Sequence, residues 1–149
     1  EISRLEFFIR LAELTWPFGD SRIKLSDSDI MPGDLFTDVT GNEAGIYIIV
    51  PLIENDIIKG YEGGLLKPEQ SISRAEAAHL AGVIFGTATS TAAPFKDPLP
   101  IWAQKGITGA YNAGIIQGYS DGTFRPNIPL TRAEAIIILQ NCLESYSNH

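Results

Sequence analysis

The sequence predicts an all-α protein built from repeated helix–glycine loop–helix modules, and three observations carry that prediction. Leu130-Thr131-Arg132-Ala133-Glu134 recurs as Ile72-Ser73-Arg74-Ala75-Glu76 and again as Ile2-Ser3-Arg4-Leu5-Glu6. Gly60-Tyr61 returns as Gly118-Tyr119, with the same 58-residue offset that separates Arg74 from Arg132. Phe36-Thr37-Asp38 returns as Phe95-Lys96-Asp97, and Pro68 returns as Pro126. A fixed period of this length marks a repeated supersecondary unit. The chain therefore holds two complete copies and the second half of a third. Residues 1–16 form the capped helix of the incomplete copy and 17–34 an irregular connector. Residues 35–86 form a degenerate copy, 87–94 a linker and 95–146 a well-matched copy.

Each recurring phrase opens a helix. Ser or Thr followed three positions later by Glu is a capping box, in which the hydroxyl accepts from the third helical amide and the Glu reaches back to the cap. The first such helix runs from Arg4 to about Leu14 and presents Phe7, Phe8, Ile9 and Leu11. Burying a few such side chains is worth roughly 1.5–3 kcal/mol each, enough to dock a helix too short to persist alone. It is expected to pack as the third member of a central bundle. The place of its missing partner is then open to another chain or to the connector, through Trp16, Phe18, Ile30 and Met31. Asp27, Asp29 and Asp34 in that connector suggest calcium at first sight. Pro32 stands where the sixth loop position needs glycine, so the stretch reads as a solvated loop.

In the middle copy Ala44 stands where the last copy has Trp102, and Gly63-Gly64-Leu65-Leu66 replaces Asp121-Gly122-Thr123-Phe124. Its capped helix spans Arg74 to about Phe85, and the Thr/Ala/Ser-rich Gly86–Pro94 segment crosses the surface. In the last copy, Ile101 to Ala113 reads as an amphipathic helix stopped by Gly114. Asp121-Gly122 then marks a tight turn. The final helix, Arg132 to about Leu143, is apolar almost all round, which predicts burial on most sides. Five helices and negligible strand are expected in total.

Capping accounts for Thr131 and Glu134 but not for the arginine between them. A cation in the first helical turn faces the positive end of the helix dipole, an unfavourable placement of roughly 0.3–1 kcal/mol. Three copies repeat it at Arg4, Arg74 and Arg132. The guanidinium is thus expected to hold something, either a ligand or an internal carboxylate such as Asp121.

These residues resemble the S-layer homology family of bacterial cell-surface modules. Its hallmarks are Phe-x-Asp, Trp-Ala on the first helix, a Gly-Tyr-x-Asp-Gly-Thr-Phe-x-Pro loop and a Thr-Arg-Ala-Glu capped helix. Residues 95–143 carry all four, 36–86 carry the first, the last and the Gly-Tyr, and 2–14 only the last. The resemblance implies a pseudo-threefold assembly around a central three-helix bundle. It also implies an extracellular, wall-associated module that binds a cell-wall polysaccharide, often pyruvylated, in grooves between copies. The ligand-binding positions carried over are Arg4, Arg74, Arg132, Trp102, Gly118, Tyr119, Asp121 and Gly122, with Gly60 and Tyr61 as weaker counterparts. The groove with Arg132 and the Asp121-Gly122 loop is expected to be the better formed, with Trp102 stacking a sugar face. Because the family's grooves lie between copies, Arg74 and Trp102 sharing one site is the other arrangement.

Composition fits such a module. Net charge is −7, which argues against nucleic acid and anionic membrane. No apolar run reaches membrane-spanning length. Glu1 opens inside a capping phrase, so the chain reads as a fragment or processed form. The lone Cys142 reads as a buried, inert thiol. His79 and His149 lack metal-ligand companions, no nucleophile elbow or phosphate loop appears, and Glu76 and Glu134 are taken by capping. No catalysis, metal or cofactor is expected. The competing expectation is a protein-interaction or self-assembly module using the exposed apolar face of the truncated copy.

Overall fold

The computed structural model describes residues 1–15 and 29–147. Its elements are α1 (Arg4–Thr15), α2 (Pro32–Leu35), a 3-10 turn (Ile46–Ile49), α3 (Val50–Glu54), α4 (Arg74–Phe85), α5 (Ile101–Asn112) and α6 (Arg132–Ser147). Among the described residues β-type pairing is confined to isolated bridges, Tyr61 with Leu65 and Ser73 with Pro129. The all-α class is the observed one. Trp16, Phe18, Asp27 and His149 lie outside the described residues, so the capping role expected for Trp16 and Phe18 does too. The chain divides into two compact units, Ser3–Gln70 and a second formed by Glu1–Ile2 with Ser71–His149.

In the first unit, Ser3 Oγ accepts from the Glu6 amide at 3.2 Å and starts α1 as its capping box requires. Phe7, Phe8 and Leu11 are fully buried, and α1 packs against the 3-10 turn. Three of the four side chains that the sequence leaves open to a partner are therefore already inside, while Ile9 lines a surface groove. The first helix of the middle copy is broken. Gly45, at φ +79°, opens the 3-10 turn, and a separate short helix starts at Val50 with Pro51 in its first turn. Pro51 has no N–H to continue the preceding turn, so the segment restarts there. The connector holds the single turn α2 where irregular chain is expected. Met31 stays half-exposed, its sulfur 3.7 Å from the Tyr47 hydroxyl. Instead of five helices there are four long ones among the described residues, with this broken pair and one isolated turn.

In the second unit, Ser73 Oγ and Thr131 Oγ1 each accept from the amide three residues on, at 3.1 Å, and open α4 and α6. α4 packs closely on α5: a Cβ placed at Gly82 would lie 1.7 Å from the Gly106 carbonyl oxygen. The sequence enclosed α6 on most sides, and here the structure differs. α6 buries only the stripe Ala135, Ile138 and Cys142, while Ile136 is 64% and Ile137 57% exposed. An unbroken apolar run on a helix points in every direction, and periodicity alone does not say which directions find a neighbour. The sequence also gathers three capped helices into one bundle; within this unit α4 packs with α5 and α6, and α1 belongs to the other. Burial pushes the Cys142 thiol up to about 12, which makes it inert at neutral pH.

Candidate binding site

The arginines of the first two capped helices reach forward into the glycine loop of the following copy. Arg74 is 8% exposed. Its Nε donates to the Phe124 carbonyl at 2.9 Å and its Nη2 to the Gln117 carbonyl at 3.5 Å, while Nη1 pairs with Glu134 Oε2. Its guanidinium carbon lies 4.8 Å from the centroids of both Tyr119 and Phe124. Arg4 repeats the plan at 2% exposure, donating to the Leu66 carbonyl at 3.0 Å and the Tyr61 hydroxyl at 3.3 Å. It lies 4.5 Å from the Tyr61 ring centroid. The amides opening each helix follow suit. Arg74 and Ala75 donate to the Ile128 and Pro126 carbonyls, and Arg4 and Leu5 to those of Gln70 and Pro68. These bonds satisfy helix-end donors that have no intrahelical partner.

The loop itself is clamped from the other side by the aspartate of the Phe-x-Asp phrase. Asp97 accepts from the Phe124 and Arg125 amides at 2.8 and 2.7 Å, and Asp38 from those of Leu66 and Lys67 at the same two distances. Burial works to raise the Asp97 pKa, but the two amides outweigh it and hold the carboxyl below its ordinary value. The clamp has a conformational reason. Lys67 and Arg125 sit at φ +51° and +58°, a region that costs a non-glycine residue roughly 1–2 kcal/mol. Behind the loop, the phenylalanine of the same phrase excludes any side chain: a Cβ at Gly60 or Gly118 would fall 2.6 or 2.5 Å from Phe36 or Phe95.

At the outer face of the last loop, Arg125 stands 3.8 Å from the Tyr119 centroid. Asp121 Oδ2 holds its Nη2 at 3.1 Å, while Oδ1 accepts from the Thr123 hydroxyl at 2.6 Å and the Thr123 amide at 2.9 Å. The Thr123 hydroxyl, then its amide, then Arg125 draw the Asp121 carboxyl down to about 2. The partner found for Asp121 is thus Arg125, where sequence reasoning named Arg132. In the middle loop Lys67 Nζ takes the place of Arg125, 4.2 Å from the Tyr61 centroid.

The structure brings Arg74, rather than Arg132, to Tyr119 and to the Gln117 and Phe124 carbonyls of the last loop, which also holds Gly118, Asp121 and Gly122, and brings Arg4 to Tyr61 and the Leu66 carbonyl of the loop that begins at Gly60. Arg132 is exposed in the first turn of α6. Trp102 stands half-exposed on α5 with its ring edge-on to His79, centroids 5.6 Å apart. A groove of about 270 Å³ beside Arg74 is lined by Ile116, Gln117, Glu134, Ile137 and Asn141. A shallower recess of about 550 Å³ lies against Phe95, Tyr111, Gly118 and Tyr119. In the first unit, where Ala44 replaces the tryptophan, a groove of about 590 Å³ runs past Ile9, Glu13, Glu43 and Ile48. Sequence reasoning missed Asp38, Asp97, Lys67 and Arg125. Their signal was present: a cation before proline recurs as Lys67-Pro68 and Arg125-Pro126, 58 residues apart. Among the described residues no group of His, Cys, Asp or Glu could hold a metal ion, and no helix is long and apolar enough to cross a membrane.

Known proteins carry the same pattern. The model of the S-layer homology domain matches residues 35–78 and 94–136. Cell surface glycoprotein 1 of Acetivibrio thermocellus is 39% identical over 88 residues, covering 55% of this chain and 4% of its own length. The cellulosome-anchoring protein of the same organism is 33% identical over 117 residues, 73% of this chain and 26% of its own. An endoglucanase of a Bacillus species is 30% identical over 148 residues, 99% of this chain and 15% of its own. The chain thus spans about a quarter or less of each relative. With both glycine loops, both Asp clamps and the capped helices in place, the chain belongs to the S-layer homology family and is an anchoring module of the bacterial cell surface.

Proposed function

We propose that this module holds its parent protein to the cell wall by non-covalent binding of a secondary polysaccharide bearing acidic groups such as pyruvate ketals, without catalysis. The observation that carries this reading is the arginine–tyrosine loop, built twice by residues 58 positions apart. Arg4 and Arg74 are buried and committed to loop carbonyls, Tyr61 and Glu134. Their part is to position the loop, since a ligand carboxylate at Arg74 would have to displace Glu134. Sugar contact falls to what they position: Tyr61 and Tyr119, the glycine amides at Gly60 and Gly118, and the loop cations. Trp102 and Arg132 add an exposed aromatic ring and an exposed guanidinium. Pull-down with purified sacculi tests the reading. Retention should vanish once the secondary polysaccharide is chemically stripped; unchanged retention would overturn it.

A second reading, self-association, is favoured by the neighbouring exposed Ile136 and Ile137 on α6. Sedimentation of wild type and Ile137→Lys across a concentration series tests it. A single monomeric species in both would discard it.

A further inference from the structure

We infer that the Thr87–Thr91 stretch is a modification site, an acceptor for O-linked sugar. The modification is independent of what the glycine loops bind. The sequence contains no Asn-x-Ser/Thr triplet, which closes the N-linked route. Its hydroxyls, however, crowd into one place. Gly86 to Pro94 reads Gly-Thr-Ala-Thr-Ser-Thr-Ala-Ala-Pro, with four hydroxyl residues among the five from Thr87 to Thr91, no charge and a closing proline. Ser/Thr-rich segments with proline are the composition that carries O-linked sugars. Residues 87–92 are all exposed and belong to neither helix nor strand, so an enzyme can engage them without unfolding the unit. Two bonds pin the stretch to α5. The Thr87 amide donates to the Gly109 carbonyl at 3.1 Å, and Asn112 Nδ2 donates to the Thr91 carbonyl at 3.1 Å. Both use main-chain groups of the stretch, which leaves its side chains to solvent.

Hydroxyls elsewhere in the described residues mostly have work to do. Ser3, Ser73 and Thr131 cap helices, Thr123 is bound to Asp121, and Thr40 to Glu43. In the stretch only the Thr89 hydroxyl is engaged, accepting from the Thr91 amide at 3.1 Å. Those of Thr87, Ser90 and Thr91 make no hydrogen bond among the described residues. The step is a glycosyl transfer from a sugar activated as a phosphate or diphosphate ester. An Oγ–C1 bond forms as the C1–O bond to the phosphate breaks. The hydroxyl proton passes to a base of the transferring enzyme, and the phosphate leaves with the bonding pair. The physical gain is protection. Exposed stretches of small and polar residues are where proteases nick a chain, and this one joins α4 to α5. A bulky, hydrated substituent covers it.

The test takes the parent protein from the surface of the cells that make it and digests it with trypsin. Cleavage after Arg74 and Lys96 releases residues 75–96 as one peptide. That peptide should carry the added mass of hexose or N-acetylhexosamine, placed within Thr87–Thr91 by electron-transfer fragmentation. Alkaline β-elimination, which releases sugars linked to Ser and Thr, should remove it. Replacing Thr87, Thr89, Ser90 and Thr91 together by alanine should abolish the added mass in the same host. The thermal midpoint of that variant, made without sugar, should match unmodified wild type, because all four side chains are exposed. A peptide recovered at its unmodified mass, or carrying phosphate in place of sugar, would overturn the inference. Retention on sacculi is measured separately, so the polysaccharide reading stands or falls by its own experiment.

Discussion

Arg74 and Glu134 form an ion pair that joins the guanidinium of one copy's capping phrase to the carboxylate of the next copy's. The same carboxylate, through Oε1, accepts from the Thr131 hydroxyl at 3.0 Å, so Glu134 closes its own capping box and receives the neighbour's arginine at once. With the arginine side chain 10% and the glutamate 31% exposed, the pair is mostly withdrawn from water. Removing one partner leaves the other uncompensated, a loss of about 3 kcal/mol, at the low end for such pairs because Glu134 is partly solvated. Arg74→Ala should show that loss in urea denaturation. Arg74→Lys should recover little, since an ammonium cannot serve the Phe124 carbonyl, the Gln117 carbonyl and Glu134 together.

The two aspartate clamps should behave alike despite their different loops. Asp97→Ala strips the Phe124 and Arg125 amides of their acceptor, and Asp38→Ala does the same for Leu66 and Lys67. Each should cost about 1–3 kcal/mol, because the left-handed residue that the clamp holds loses its support. Amide exchange at Phe124 and Leu66 reports the effect locally. Protection that survives either substitution would show that the loop holds its shape without the clamp.

How much of this was legible follows from how far apart the partners lie in the chain. Ser3, Ser73 and Thr131 cap helices three residues away, and spacing alone announces that. Gly60 and Gly118 mark turns for the same local reason. Arg74, by contrast, finds Phe124 fifty positions on. Its misfit with the helix dipole signalled a task without naming the partner. The Asp97 clamp spans 27 residues to Phe124 and left only a recurrent Phe-x-Asp as its trace. The Pro51 break was readable and went unread, because the repeat carried the first helix of the last copy over to the middle one. The exposure of Ile136 and Ile137 was not readable, since hydrophobic pattern says what wants burial and not what arrives to provide it.

The last loop should loosen in acid at a defined place. Asp121 titrates at about 2 in the folded protein against an ordinary 3.8. A carboxylate with a lowered folded pKa stabilises the fold above its unfolded value and loses that contribution as pH falls through the folded one. The Thr123 amide resonance should therefore stay nearly constant down to about pH 3 and move with its midpoint at about pH 2. Asp121→Asn should abolish that titration step. The middle loop, with Gly63 at the matching place, should show none from this position.

A close backbone approach between two helices predicts a large loss. Gly82 on α4 faces Gly106 on α5, and a Cβ at Gly82 would also lie 3.0 Å from the Ala110 amide nitrogen. The obstruction is backbone on both counts, so no side-chain rotation relieves it and the helices must separate. Overpacking of this kind costs about 3 kcal/mol or more, well beyond the helix-propensity gain of up to about 1 kcal/mol from replacing glycine with alanine. Gly82→Ala should lower the thermal midpoint sharply. The separation should also show at Thr87, whose amide donates to the Gly109 carbonyl at 3.1 Å. Its hydrogen exchange should quicken before the rest of the unit opens. A variant as stable as wild type, with Thr87 still protected, would mean the two helices do not meet through these glycines.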